Sequence, residues 1–204
     1  MQRLGSARVS GFDESFAAWA RGRGMEVLPE QGAPPLTPLL AKGGTLDPVA
    51  RGALADGIDG IAGCLSYTGE GGGGYGFPVA LAEVPESTAF VPRLFCEDRG
   101  RSEDTVHYGF EIRHEALWTE SEVLNARYRV TMGPFQDPNW MRQLFAPTFV
   151  DWLATRAPER FSFELAYGHL CCNVEGDEPG SAQLDALCEA AAMVARRLRE
   201  ESLE

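Results

Sequence analysis

The sequence predicts an α+β protein: an antiparallel β-sheet with flanking helices. Three observations carry that expectation. Segments of period-two alternation crowd the middle of the chain. Segments with apolar spacings of three and four flank them. The links between neighbouring strands are too short for parallel crossovers. The 204 residues, 44% hydrophobic and 24% charged, suit one full hydrophobic core. No repeat or linker interrupts them, so residues 1–204 read as a single domain.

The first helix is marked by Phe12, Phe16, Trp19 and Ala20, with Gly24 placed to end it. Met25 to Leu28 reads as a short strand. Gln31 to Thr45 is rich in proline and glycine and reads as an irregular surface loop. Asp47-Pro48 reads as the start of a short helix through Leu54. Ile58 to Thr68 and Phe77 to Val84 read as strands. The glycine-rich run Gly69 to Gly76 between them formally contains G-x-G-x-x-G. A dinucleotide site needs a helix next, and Phe77-Pro78-Val79 is extended, so a hairpin loop is the better reading. Val91 to Glu97 and Thr105 to Ile112 complete the strands of this half.

The stretch from Glu120 to Leu153 organises the second half. Ala126, Tyr128 and Val130 alternate with Arg127, Arg129 and Thr131, which predicts a strand over Asn125 to Thr131. Asp137-Pro138 opens a helix by N-cap and first-turn proline. Leu144, Phe145, Phe149, Trp152 and Leu153 give that helix one apolar face. Pro147 lies inside it, so a kinked helix, or two short ones, is expected around 138–156. Phe161, Phe163 and Leu165, a turn at Tyr167-Gly168, then Leu170, Cys172 and Val174 form a hairpin. A C-terminal helix over 181–200 carries the stripe Leu184, Leu187, Cys188, Ala191, Val194, Ala195 and Leu198.

Charge and motifs narrow the function. A net charge of −12 speaks against nucleic acid or an anionic membrane as partner. No run of eighteen apolar residues is present, so no membrane association is expected. His107, His114 and His169 have no metal-ligand spacing, and no metal or cofactor is expected. Cys64, Cys96, Cys171, Cys172 and Cys188 form no disulfide framework. With no apolar leader, they point to a reducing cytoplasm. Cys171 and Cys172 should face opposite sides of a strand, one thiol buried and one partly exposed. Glu97/Asp98 and Glu103/Asp104 read as solvated turns, and no G-x-S-x-G occurs, so no catalytic residue is assigned. Arg127 and Arg129 either hold an anion or pair with Glu120 and Glu122; pairing is favoured. The candidate ligand or partner contacts are Arg127, Arg129, Trp140, Phe149 and Trp152.

These features favour a non-catalytic binding or regulatory module with a protein partner or a small-molecule ligand. Self-association through the C-terminal helix is a further option. The alternative is a small-molecule-binding protein or enzyme with an apolar pocket between the sheet and helix 138–156.

Several short motifs also fit a known pattern. They are Glu120, Ser121, Asn125, Arg127, Tyr128 and Val130; Asp137-Pro138; Ala146-Pro147, Phe149 and Trp152-Leu153; and Phe161 and Phe163. Upstream stand Arg21 to Gly24, Gly57 to Cys64 and Pro92 to Leu94. Together these resemble a bacterial, mainly actinobacterial, family known only as a domain of unknown function. The motifs are short and structural, and the resemblance brings no catalytic residues.

Overall fold

Period-two alternation becomes one antiparallel sheet. A computed structural model describes residues 9–68, 74–89, 93–101, 115–133, 138–176 and 178–201. Their elements are, in order, α1 (Val9–Gly22), β1 (Glu26–Leu28), β2 (Gln31–Gly32), β3 (Thr45–Ala55), β4 (Ile58–Thr68), β5 (Gly74–Glu83), β6 (Arg93–Asp98) and β7 (Glu115–Leu117). There follow α2 (Glu122–Arg127), β8 (Tyr128–Met132), α3 (Pro138–Leu144), α4 (Pro147–Thr155), β9 (Ser162–Ala166), β10 (His169–Asn173) and α5 (Ser181–Glu201). The sheet order is β1-β3-β4-β5-β10-β9-β6-β8-β7, with β2 beside the start of β3. The fold is α+β.

Alternation gives each strand two different faces. Ala62, Ala80, Leu170, Phe163, Leu165, Leu94, Cys96, Tyr128 and Val130 share one buried cluster with residues of α1, α4 and α5. The opposite side chains Leu65, Phe77, Val79, Leu81, Phe95 and Cys171 form a second cluster with Leu39 and Leu40. Both faces are therefore covered, one by helices and one by the chain between β2 and β3, here called the strap. The two thiols Cys171 and Cys172 face opposite sides, as alternation requires. Both are fully buried, which corrects the expected partial exposure of one: the strap covers that face.

Local chemistry sets the ends of the elements. After α1, Gly24 takes φ +71° and Met25 N–H donates to Ala20 at 2.9 Å, a glycine-terminated helix end. Tyr167 and Gly168 have φ +50° and +82°, the left-handed pair a two-residue hairpin needs. The stripe on α5 packs on the chain's own sheet, so it is not an exposed face. Trp19 Nε1 and Arg23 both donate to Asp185, at 2.8 and 2.7 Å, and tie α1 to α5.

Three expectations are corrected. Residues 122–127 are helical, because the Ser121 hydroxyl accepts from Leu124 N–H at 3.2 Å and caps a turn of helix; the strand begins at Tyr128. Asp47-Pro48 lies within β3, at a register shift between Leu46 and Val49 where the ladder needs no N–H from proline. The stretch Gln31 to Thr45 is not merely surface: Thr37, Leu39 and Leu40 are buried. The helix expected around 138–156 is two helices, α3 and α4, separated before Pro147. The strand expected over Thr105 to Ile112, His107, His114, Glu103/Asp104, Asp137 and Gly69 to Gly73 fall outside the described residues.

The aromatic face of α4 closes the core. Trp152 is 8% exposed, stacks on Phe149 (5.7 Å, 9°) and meets Phe161 edge-on. Trp152→Ala is expected to lower stability by about 3–5 kcal/mol. A chemical melt showing a loss below about 1 kcal/mol would place Trp152 outside the core.

Candidate functional site

The space between the sheet and α4 is filled with aromatic rings. Phe149, Trp152, Phe161 and Phe163 are all buried there. Of the residues singled out from sequence, Phe149 and Trp152 therefore belong to the core, and Trp140 is half-buried on α3.

Arg127 is the last residue of α2, not a strand residue beside Arg129. Its Nε donates to Asp98 at 3.2 Å. Its two terminal nitrogens donate to the carbonyls of Leu153, Ala154, Ala157 and Pro158, at 2.8–3.3 Å. All five guanidinium hydrogens thus have acceptors. The group closes the carboxyl end of α4, where the helix dipole favours a cation. Arg129 stands opposite Glu97 in the β6–β8 ladder, 3.9 Å away. The pairing expected with Glu120 and Glu122 is not the one that forms: Asp98 and Glu97 on β6 take the two arginines, while Glu120 precedes the Ser121 cap and Glu122 opens α2.

Two of the open concave regions have apolar floors, and sequence reasoning missed both. The first is a groove of about 580 Å³ on the outer side of α4, between residues 117–123 and residues 142–155. Leu117, Phe145, Pro147, Val150 and Ala154 make it apolar, and Glu120, Arg142 and Asp151 stand on its rim. Trp118, 70% exposed, and Val123, 62% exposed, also line it. The only signal in the sequence was a tryptophan placed directly before the polar run Thr119-Glu120-Ser121.

The second is a cleft of about 470 Å³ where the strap passes over β3, β4, β5 and β10. Its edge is fixed by a buried acid. Glu164 on β9 is fully buried and accepts from the Thr37 hydroxyl and, at 2.9 Å, from Leu39 N–H. Tyr67 donates to Leu39 O at 2.6 Å. Burial pushes the Glu164 carboxyl up to about 8, against the downward pull of Thr37, Leu39 and Lys42. The signal here was a glutamate flanked by Phe163 and Leu165 on a strand with both faces buried.

Chemistry elsewhere is muted. Burial pushes the thiols of Cys96, Cys171 and Cys172 well up, and that of Cys188 to about 12, so none is an activated nucleophile. Among the described residues no three His, Cys, Asp or Glu are placed to hold a metal ion. No described helix is long and apolar enough to cross a membrane.

No family model and no curated protein matches the chain. A solved structure does share its fold. The crystal structure of the mycobacterial trehalose monomycolate transport factor A, TtfA, aligns with 93% of this chain and 95% of that one. The TM-score is 0.66 and the sequence identity 14%. At that identity the likeness is one of fold.

Two outcomes are expected. Arg127→Leu should cost about 3 kcal/mol, since it strands the buried Asp98 carboxylate and four carbonyls. Arg127→Lys should recover less than half, because an ammonium cannot fork; full recovery in a urea melt would contradict the capping role. The Glu164 carboxyl is held near 8 in the fold and near 4.5 unfolded. The fold binds this proton more tightly, so the group's contribution is complete below about 4.5 and is lost as pH rises through about 8. The unfolding free energy from urea melts should fall between about pH 5 and pH 8.5, by an amount on the order of a few kcal/mol. Glu164→Gln should flatten that fall; an unchanged slope in the variant would assign it to other groups.

Proposed function

We propose that this chain is a non-catalytic binding module that grips a partner protein in the groove between 117–123 and 142–155. The observation that carries the reading is Trp118. A tryptophan 70% exposed on the wall of an apolar groove is the residue type that dominates protein interfaces. Val123 extends the apolar surface.

The rim gives the partner's chemistry. Glu120 and Asp151 outnumber Arg142 there, Glu122 is exposed nearby, and the whole chain carries −12. The fitting occupant is an amphipathic helix with apolar anchors and basic flanks. The raised thiols and the absence of a described metal cluster leave binding as the simpler role. The shared fold with a protein described as a transport factor supports a role of this kind.

Trp118→Ala should leave stability within about 0.5 kcal/mol, since little of the ring is buried. It should weaken the partner by about 2 kcal/mol, roughly thirtyfold. A photo-crosslinker at position 118, used in living cells, should capture one discrete protein through a basic helical segment, mapped by peptide mass spectrometry. The same probe at exposed Asp56 should not. Equal capture at both positions, or none at 118, would remove the groove as the binding site.

A further inference from the structure

Register places one row of side chains across the strap face. Arg51 on β3 stands opposite Ile61, Ile61 opposite Leu81, Leu81 opposite Cys171, and Cys171 opposite Glu164. The far end of the row, Cys171 and Glu164, is sealed beneath the strap. The near end is open and forms the floor of the 470 Å³ cleft, where Leu36 and Leu40 of the strap face Ile61 and Leu81. Leu36 is 38% exposed. The apolar floor ends at Arg51, about 10 Å from Leu81 at two inter-strand spacings.

The polar end of the cleft holds unspent donors. Among the described residues the Arg51 side chain forms no hydrogen bond or ion pair. Arg199, reaching in from the end of α5, donates to Gly57 O and Glu83 O through its terminal nitrogens. Its Nε is buried without an acceptor. His169, Asp59 and Glu83 also line the cleft. The Arg51 guanidinium, without a protein partner at the end of the apolar floor, is placed to pair with an anion. An apolar floor beside it calls for an alkyl chain.

We propose that this cleft is a binding site for a single-chain amphiphile bearing one carboxylate. The carboxylate pairs with Arg51, and the chain lies over Ile61 and Leu81 beneath Leu36 and Leu40. The volume is within the range of small-molecule sites. The site is separate from the groove at Trp118 and does not depend on that groove being occupied.

Isothermal titration of the full chain with decanoate, kept below its micelle concentration, tests this. Saturable one-to-one binding is expected. Arg51→Gln should weaken it about tenfold, the loss of one charged hydrogen-bonded pair, and Arg51→Lys should restore part of it. Decanol should bind more weakly than decanoate and equally to wild type and Arg51→Gln. Trp118→Ala should leave decanoate binding unchanged. Thermal melts of each variant confirm folding, and Arg51, exposed and without side-chain bonds, is a mild place to substitute. Non-saturable binding, no binding, equal affinity of wild type and Arg51→Gln, or loss on Trp118→Ala instead would each overturn the assignment.

Discussion

A sheet of ten strands with apolar side chains on both faces must be covered twice. The helices cover one face. The other falls to a strap whose regular structure is the 3₁₀ turn Leu40–Lys42. A buried strap brings backbone groups that have lost water and need partners. Glu164 and Tyr67 provide them: the carboxyl accepts Leu39 N–H and the Thr37 hydroxyl, and the phenol donates to Leu39 O. A leucine at 164 would suit Phe95 and Cys171 but would orphan that amide. The raised proton affinity of Glu164 is the electrostatic counterpart of this arrangement, because the strap excludes the water that would solvate the charge.

Arg127 solves the matching problem on the helical side. The last carbonyls of α4 point toward β6 with no continuing helix to satisfy them. One guanidinium takes four carbonyls and, through Asp98, is tied to the sheet. The consequence for function is direct. An arginine committed to five acceptors is not available to a ligand. By fixing α2 against α4, it instead holds the two walls of the groove at Trp118 in place. A preformed groove binds without first ordering its own walls, which saves affinity.

Elements whose amphipathic pattern runs long were legible in the sequence. The α5 stripe, the β9–β10 hairpin and the break before Pro147 all lie where spacing put them. The failures share a cause: a short polar contact outweighed the pattern. Asn125 to Thr131 does alternate, yet Ser121 caps Leu124 and the Asn125 side chain bonds back to Thr119 at both its oxygen and nitrogen, which winds those residues into a turn of helix. Prolines marked the strap as loop. Leu36, Leu39 and Leu40, spaced by three and four, held the clue that one side of it is buried. The open sites were least legible. A groove is made by residues from separate elements, and only their register and packing bring Trp118 to Val150 or Arg51 to Leu81.

The cleft and the groove lie toward opposite ends of one sheet and on opposite faces of it. The cross-strand row of the cleft continues from Glu164 through Phe95 and Thr131 to Ala116, while the next residue, Leu117, turns to the other face and the groove. Contiguity alone is not coupling. A ligand in the cleft alters affinity at the groove only if it favours one of two arrangements of something between them. The element between them is the strap edge, held in one position by bonds from Thr37, Leu39 and Tyr67, and beyond it the row is packed sheet. Burial opposes loss of the Glu164 proton, and the bonds from Thr37 and Leu39 offset only part of that opposition, so the strap edge and the acid beneath it are held together.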